Sequence, residues 1–474
     1  LQLRPGSDHA FFAHAVRELL RDGADWDYLA RHASGVDELR DAVEPFDLAT
    51  TARITDLDPT AISEFVEAVR RAGRITLMSG TGLTMSASPA VAEWLMRALE
   101  VVTGSSDREG GSFFSPGFFS QSDTKDWEPR VGLPGPGPRS RPELPSWMGM
   151  YSVAAFADEV ERGFLRAMII VGGNPSVAFP EHDRIVGALE ALEVVAVADV
   201  VASDTTAYAT HLLPCAGQLE RGDLTMGSTS AVYGQYTPAV VPVGAERRTQ
   251  WQLFADLARR LGHDVLPEGL SLESCRDEDL LAQVCAGARV PFAELAAHET
   301  GVLAQRGTYG WVTERVLPHG RWQVAPPALV EQLARLDVHT STVYIPRRPR
   351  HRVNSTLRDL GGARDEDAVF LHRDDAAEIG AADGTLVRVA SEHGSLVGPV
   401  RIEAGLRQGT VSIHHASGDV NVANLTSGAV NVDPVTGMVL QSGIPVTLSV
   451  VEHDDDAPDA RVATTTEPLG RSRG

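Results

Sequence analysis

Residues 167–175 read AMIIVGGNP, an apolar run that ends in two glycines and leads into a helical pattern. Paired glycines let a ligand come close to the backbone. The unpaired N–H groups of the following helix offer an anion both hydrogen bonds and the positive end of a dipole. Asn174 adds an amide at this mouth, and Asp199 ends the next strand, where a carboxylate can hold a sugar hydroxyl or a purine amino edge. The G-x-G-x-x-G spacing is absent, so NAD is not implied. The pattern is equally that of an ordinary strand-to-helix turn in which Asn-Pro starts the loop.

Pro5-Gly6-Ser7-Asp8 opens another helix, with Ser7 or Asp8 as its cap, and Ser79-Gly80-Thr81-Gly82 is a further glycine mouth. Arg347, Arg348, Arg350, His351 and Arg352 form a basic run, either a solvated loop or an anion clamp for phosphates. His414-His415 looks like a metal pair, but neighbours on a strand point to opposite faces and cannot share one ion without distortion. No G-x-S-x-G, H-E-x-x-H or P-loop is present. The residues alone describe an α/β binder of an extended anionic cofactor, with a β-rich lid and no reacting group of its own.

The elements that must hold these residues follow from hydrophobic period. A helix runs through Phe11, Phe12, Ala15, Val16, Leu19 and Leu20 to Gly23, and a second spans 59–72. Residues 74–79 read as a short buried strand and 88–102 as a helix. Residues 110–148 are rich in Gly, Pro and Ser, yet Phe113, Phe114, Phe118 and Phe119 favour docking over free motion. The α/β pattern returns with strands at 167–171 and 194–198 and helices at 183–192 and 251–261. From 342 the period becomes two, with one short helix at 374–379, which predicts a separate, closed β-barrel.

Composition narrows the function. With 42 Lys+Arg against 64 Asp+Glu the net charge is −22, which argues against nucleic-acid partners. No apolar run reaches the length of a membrane helix, so no membrane insertion is expected. Cys215, Cys275 and Cys285 are scattered, cannot build a four-cysteine cluster, and read as small buried side chains suited to a reducing, cytoplasmic setting. The chain opens on Leu1 inside an amphipathic pattern, which reads as a fragment.

Taken together, these segments resemble the molybdopterin-dependent oxidoreductases of the dimethyl-sulfoxide-reductase superfamily, which includes formate dehydrogenases and nitrate reductases. The resemblance runs from residue 1 to about 452. It rests on LRPGSD at 3–8, LMSGTGLTMS at 77–86, IIVGGNPSVAFPE at 169–181, VVAVADVVASDTTAYATHLLPCAGQLER at 194–221, ERRTQWQLFADLARRLG at 246–262, PRRPRHRVNSTLRDLGG at 346–362 and VANLTSGAVNVDPVTGMVLQSGIPVTL at 422–448.

The resemblance implies doubly wound α/β cofactor-binding domains at 1–110 and 166–262. Connecting segments at 111–165 and 263–340, a double-psi barrel of the aspartate-decarboxylase type at 341–454, and a flexible tail at 455–474 complete the expected division. It also implies bis(molybdopterin guanine dinucleotide) holding molybdenum or tungsten, a small-molecule substrate, and an electron-transfer partner subunit. By motif, Gly6, Ser7 and Asp8 would meet one dinucleotide. Gly173, Asn174 and Asp199 would meet the other, with Ser203, Glu220 and Arg221 lining its pocket. Arg348, Asn354 and Ser355 fall in the RR…NS motif, and Asn424 and Gln441 in the closing run.

Departures from the family pattern are Gln250 where an acidic residue is usual, Arg221 where Lys is common, and His414-His415-Ala416 in place of Pro-His or Phe-His. The family's N-terminal region, with its 4Fe-4S segment, its metal ligand and the first halves of two domains, is expected upstream of Leu1. No catalytic residue or metal ligand can therefore be named, and the piece alone would be inactive and would bind cofactor poorly, because two domains would lack half their strands. The rival readings are a cofactor-free homologue serving as a structural subunit of a redox complex, and a cofactor-insertion or carrier protein.

Overall fold

The first helix, α1 (Asp8–Arg21), buries Phe11, Ala15, Val16, Leu19 and Leu20 on one face, as their spacing requires. The computed structural model that shows this describes residues 1–128, 134–225, 231–244, 246–304, 307–337, 340–349, 353–356, 367–416, 420–430 and 432–452. Helix α2 (Pro59–Ala72) starts with Pro59 in its first turn, and the Asp58 carboxylate accepts from the Thr60 N–H. Helix α3 (Pro89–Val102) is buried on most of its surface and packs along α1. Leu19, Leu39, Leu95 and Leu99 are fully buried between them, each such leucine contributing on the order of 2 kcal/mol.

Two local expectations need correction. Ser7 precedes α1 but does not cap it with its side chain; its hydroxyl turns back to the Arg4 carbonyl at 2.6 Å. Residues 74–79 join no sheet, and none of them is buried, only Ile75, Leu77 and Ser79 being partly covered. Side chains take the place of a neighbouring strand. The Ile75 N–H donates to Ser105 Oγ at 3.0 Å and the Leu77 N–H to Glu100 Oε1 at 2.8 Å. Arg97 Nη1 donates to the Leu77 carbonyl at 3.1 Å. Arg97 and Glu100, three residues apart on α3, thus hold both polar groups of one peptide residue.

The four phenylalanines of the Gly/Pro-rich stretch are docked. Phe118 is fully buried, Phe114 stacks on Trp322 at 5.7 Å, and Phe113 meets Tyr309 edge-on at 5.3 Å. All three cysteines are buried and unbridged.

Strands β1 (Ala167–Val171), β2 (Val194–Asp199) and β3 (His211–Pro214) form a parallel sheet in sequence order. Helices α4 (Phe156–Glu161) and α5 (His182–Ala191) cover the face carrying Ile170, Val195 and Val197. The opposite face presents Ile169 at 46% and Val171 at 42% exposure. Helix α6 (Gln250–Arg260) follows, with the Thr249 N–H bonded to the Gln252 side chain at 3.2 Å.

The C-terminal part contains the short helix α7 (Arg373–Glu378) and seven strands. These are β4 (Val343–Arg347), β5 (Val369–Leu371), β6 (Leu386–Ala390), β7 (Ser395–Ile402), β8 (Thr410–His414), β9 (Ile444–Pro445) and β10 (Thr447–Val450). Their order is β9-β4-β8-β5-β7-β6-β10, mixed parallel and antiparallel. Strands β9 and β10 occupy opposite ends of that order, yet only Val446 separates them in the chain. The sheet is therefore curled until its two ends meet, around Val369, Leu371, Val387, Val400 and Ile413.

This curled sheet is docked on both the helical N-terminal part and the parallel-sheet part. Ala423 O accepts from the Glu181 N–H at 3.0 Å, Asn421 Nδ2 meets His182 Nδ1 at 3.0 Å, and Arg407 pairs with Asp56.

Candidate binding cleft

A cleft of about 670 Å³ opens where the three parts meet. Its size is that of a small-molecule or cofactor site. One wall is the turn before α1, with Arg4, Gly6 and Asp8, and the loop Thr81–Ser86 beside it. The carboxyl end of β1 supplies Gly172, Gly173 and Asn174. The curled sheet supplies Arg348, Asn354, Ser355, His415 and Gln441.

The cleft is shaped by backbone that carries little side chain. Gly6 has φ +82°, and a Cβ there would stand 3.3 Å from the Ala87 Cβ. A Cβ on Gly82 or Gly172 would meet no protein atom within 4 Å, so the space beside those residues is open to a ligand. Buried His9 supports the Gly6 turn from below. Its Nδ1 lies 3.1 Å from the Gly6 carbonyl and 3.2 Å from Ser88 Oγ. A carbonyl only accepts, so Nδ1 carries the hydrogen. Burial drives the His9 pKa down to about 4, with the Gly6 bond opposing it. Burial pushes the Asp8 carboxyl above its ordinary value, and its own backbone amide draws it partly back.

Eight of the twelve residues expected from the sequence, namely Gly6, Asp8, Gly173, Asn174, Arg348, Asn354, Ser355 and Gln441, line this one cleft. Four do not. Ser7 is buried against Arg4. Asp199 lies at the carboxyl edge of the same sheet as Gly173, one strand away, with Oδ1 on the Val200 N–H at 2.6 Å. Arg221 pairs with Asp223 at 2.7 Å. Asn424 sits against the Gly394 turn. Of the secondary set, the Glu220 carboxylate binds the Gly217 N–H at 2.7 Å and Arg247 at 2.8 Å, and Ser203 Oγ is buried.

The Asn174 amide is engaged inside the protein. Its Oδ1 accepts from the Thr205 N–H at 3.0 Å and Thr205 Oγ at 2.7 Å, and its Nδ2 donates to Asp204 at 2.8 Å. Thr205 is fully buried and also accepts from the Ser176 N–H at 3.1 Å. Asn174 thus fastens the glycine turn to the segment after β2. N174A is expected to cost roughly 2 kcal/mol, because the Thr205 N–H is left without an acceptor and the Thr205 hydroxyl keeps only Ser176 Oγ at 3.0 Å. T205V should cost a similar amount, and the double variant clearly less than the two together in urea unfolding. Full additivity would show that the two side chains do not act as a unit.

The basic run divides. Arg347 faces away from the cleft, its guanidinium 3.9 Å from the Phe370 ring centroid and paired with Glu403 at 2.5 Å, whereas Arg348 lines the cleft. Arg350, His351 and Arg352 lie outside the described residues, as does the tail from 453. The two histidines also diverge. His414 packs edge-on against Phe370 at 5.4 Å, while His415 enters the cleft with Nδ1 3.0 Å from the Arg347 carbonyl and Nε2 3.0 Å from Asn354 Oδ1. Among the described residues no three His, Cys, Asp or Glu side chains gather as a metal site. The same residues contain no helix long and apolar enough to cross a membrane.

His415, Met85 and Ser86 also line the cleft. The glycine mouth at 80–82 is the sequence signal for Met85 and Ser86. His415 stands out in the sequence only as half of an adjacent histidine pair and as a departure from the family's Pro-His or Phe-His stretch.

Comparison with known proteins matches residues 77–260 to the family described as molybdopterin oxidoreductase and residues 342–444 to the molydopterin dinucleotide binding domain. The trimethylamine-N-oxide reductase of Haemophilus influenzae is 23% identical over 83% of this chain and 56% of its own length. The assimilatory nitrate reductase catalytic subunit of Bacillus subtilis is 23% identical over 92% of this chain and 66% of its own. The chain spans about half the length of the first curated relatives it matches. Among solved structures, acetylene hydratase from Pelobacter acetylenicus shares the fold, with a TM-score of 0.74 at 16% identity, covering 94% of this chain and 71% of that one.

Proposed function

The chain belongs to the molybdopterin oxidoreductases of the dimethyl-sulfoxide-reductase superfamily, and on that premise we propose that its central cleft holds bis(molybdopterin guanine dinucleotide) as part of an oxidoreductase catalytic subunit. The observation that carries the reading is the cleft itself, where residues remote in sequence converge from three parts of the chain. Their chemistry suits the group. Glycine backbone at Gly82 and Gly172 leaves room for close approach, Arg348 brings positive charge, and Asn354, Ser355 and Gln441 bring neutral hydrogen-bonding groups.

When bound, such a group supplies a molybdenum or tungsten centre able to exchange two electrons with a small-molecule substrate. This chain's residues would bind and orient it. The free N–H groups opening the 14-residue α1 suit a phosphate beside Gly6. Asp199, at the edge of the same parallel sheet, suits the amino edge of a second guanine. The curled sheet, which we take as the family's double-psi barrel, closes over the ligand. The iron–sulfur cluster, the metal ligand and an electron-accepting partner subunit belong to this proposal, as does a cytoplasmic location.

The test is to purify the natural full-length protein from a host that makes the cofactor, then assay metal, pterin fluorescence after oxidation, and guanine nucleotide after denaturation. Near-stoichiometric pterin and guanine are expected. Neither metal, pterin nor guanine would favour a cofactor-free structural subunit instead.

A further inference from the structure

We infer that Ser86 is a ligand-contacting residue of the cleft, its hydroxyl hydrogen-bonding a polar atom of the bound pterin dinucleotide; this rests on the function proposed above. Ser86 is 2% exposed and lines the cleft, and its Oγ has no hydrogen-bond partner in the protein. Several other buried side-chain polar atoms among the described residues are also without a partner, but none of those belongs to a residue lining the cleft. A buried hydroxyl left unpaired is costly and calls for a partner from outside the protein.

The surroundings hold Ser86 in place. Its N–H is bonded to the Leu83 carbonyl at 3.1 Å, which fixes the end of the Thr81–Thr84 turn. Ala87, the next residue, fills the gap between Gly6 and Gly443, whose added Cβ atoms would stand 3.3 and 3.5 Å from its own. The loop is therefore wedged between the turn before α1 and the last segment of the curled sheet.

Binding and stability should move in opposite directions. S86A removes an unsatisfied hydroxyl, so the ligand-free protein should unfold at an unchanged or higher urea concentration. The same variant should lose ligand, retaining roughly tenfold less pterin than wild type after gel filtration, the scale of one lost hydrogen bond. S86T, which keeps a hydroxyl, should recover most of it. The experiment uses the full chain from the cofactor-making host, with pterin and guanine measured per mole of protein. Wild-type protein carrying pterin alongside S86A carrying the same amount overturns the inference and leaves the function standing. A fall in both pterin and urea midpoint in S86A also overturns it, because the residue is then structural. Wild-type protein without pterin or guanine overturns the functional reading on which the inference rests.

Discussion

Replacing Glu100 by alanine is expected to cost the protein roughly 3 kcal/mol, because two donors lose their acceptor at once. Glu100 is 1% exposed on α3. Its carboxylate accepts from the Leu77 N–H and the Ser112 hydroxyl, and from Arg97 at 2.9 Å. The ion pair is the lesser part. Arg97 is largely solvated and also pairs with Glu93 at 2.9 Å, so its charge stays compensated. The larger loss is the support of residues 74–79, which have no neighbouring strand to fall back on. The Thr81–Ser86 wall of the cleft follows directly, so E100A should loosen the cleft as well as lower the urea midpoint. E100Q keeps an acceptor for Leu77 and Ser112 and should lose about 1 kcal/mol. Equal unfolding of E100A and wild type would disprove the side-chain clamp.

The second large effect is acid sensitivity centred on His9. Its folded pKa of about 4 lies below the ordinary 6.5, so the folded protein binds fewer protons here than the unfolded chain. The stability involved is fully present above pH 6.5 and is lost as pH falls toward 4. It amounts to roughly 3 kcal/mol across that window. The raised Asp8 carboxyl works the other way, since protonating it on acidification favours the folded state. Carboxylates held low by arginines, Asp158 among them, are lost only below the ordinary carboxylate range. The window from 6.5 to 4 is thus largely that of His9. H9Q cannot ionise, and its urea midpoint should change much less than wild type between pH 7 and 4.5. Parallel profiles for the two proteins would place the acid response elsewhere.

Helices and strands were readable wherever one face is buried and the period is clear, as in Phe11–Leu20 or Ser395–Ile402. Residues 74–79 were misread because a segment satisfied by side chains has the same apolar composition as one satisfied by a strand. The glycine turns at Gly6 and Gly173 were readable as places of close backbone approach. The occupation of Asn174 was not, since its partner Thr205 lies thirty-one residues away and no spacing rule connects them. Arg347 and Arg348 look alike in sequence, and only the end of β4 at Arg347 separates the one packed on Phe370 from the one lining the cleft. Ser86 lies in the LMSGTGLTMS stretch beside a glycine mouth, but that pattern does not single out its hydroxyl. Only burial together with a missing partner sets it apart.

The meeting of β9 and β10 across Val446 has a consequence for how this part of the protein behaves in crowded solution. Seven strands would ordinarily leave two long rows of unpaired N–H and C=O groups, on which other chains can build. Here the outermost strands are two and four residues long and follow one another in the chain with only Val446 between them. A sheet rich in Val and Ile thus offers only a short template for intermolecular pairing. That protection is a matter of topology rather than of charge placed along the rim.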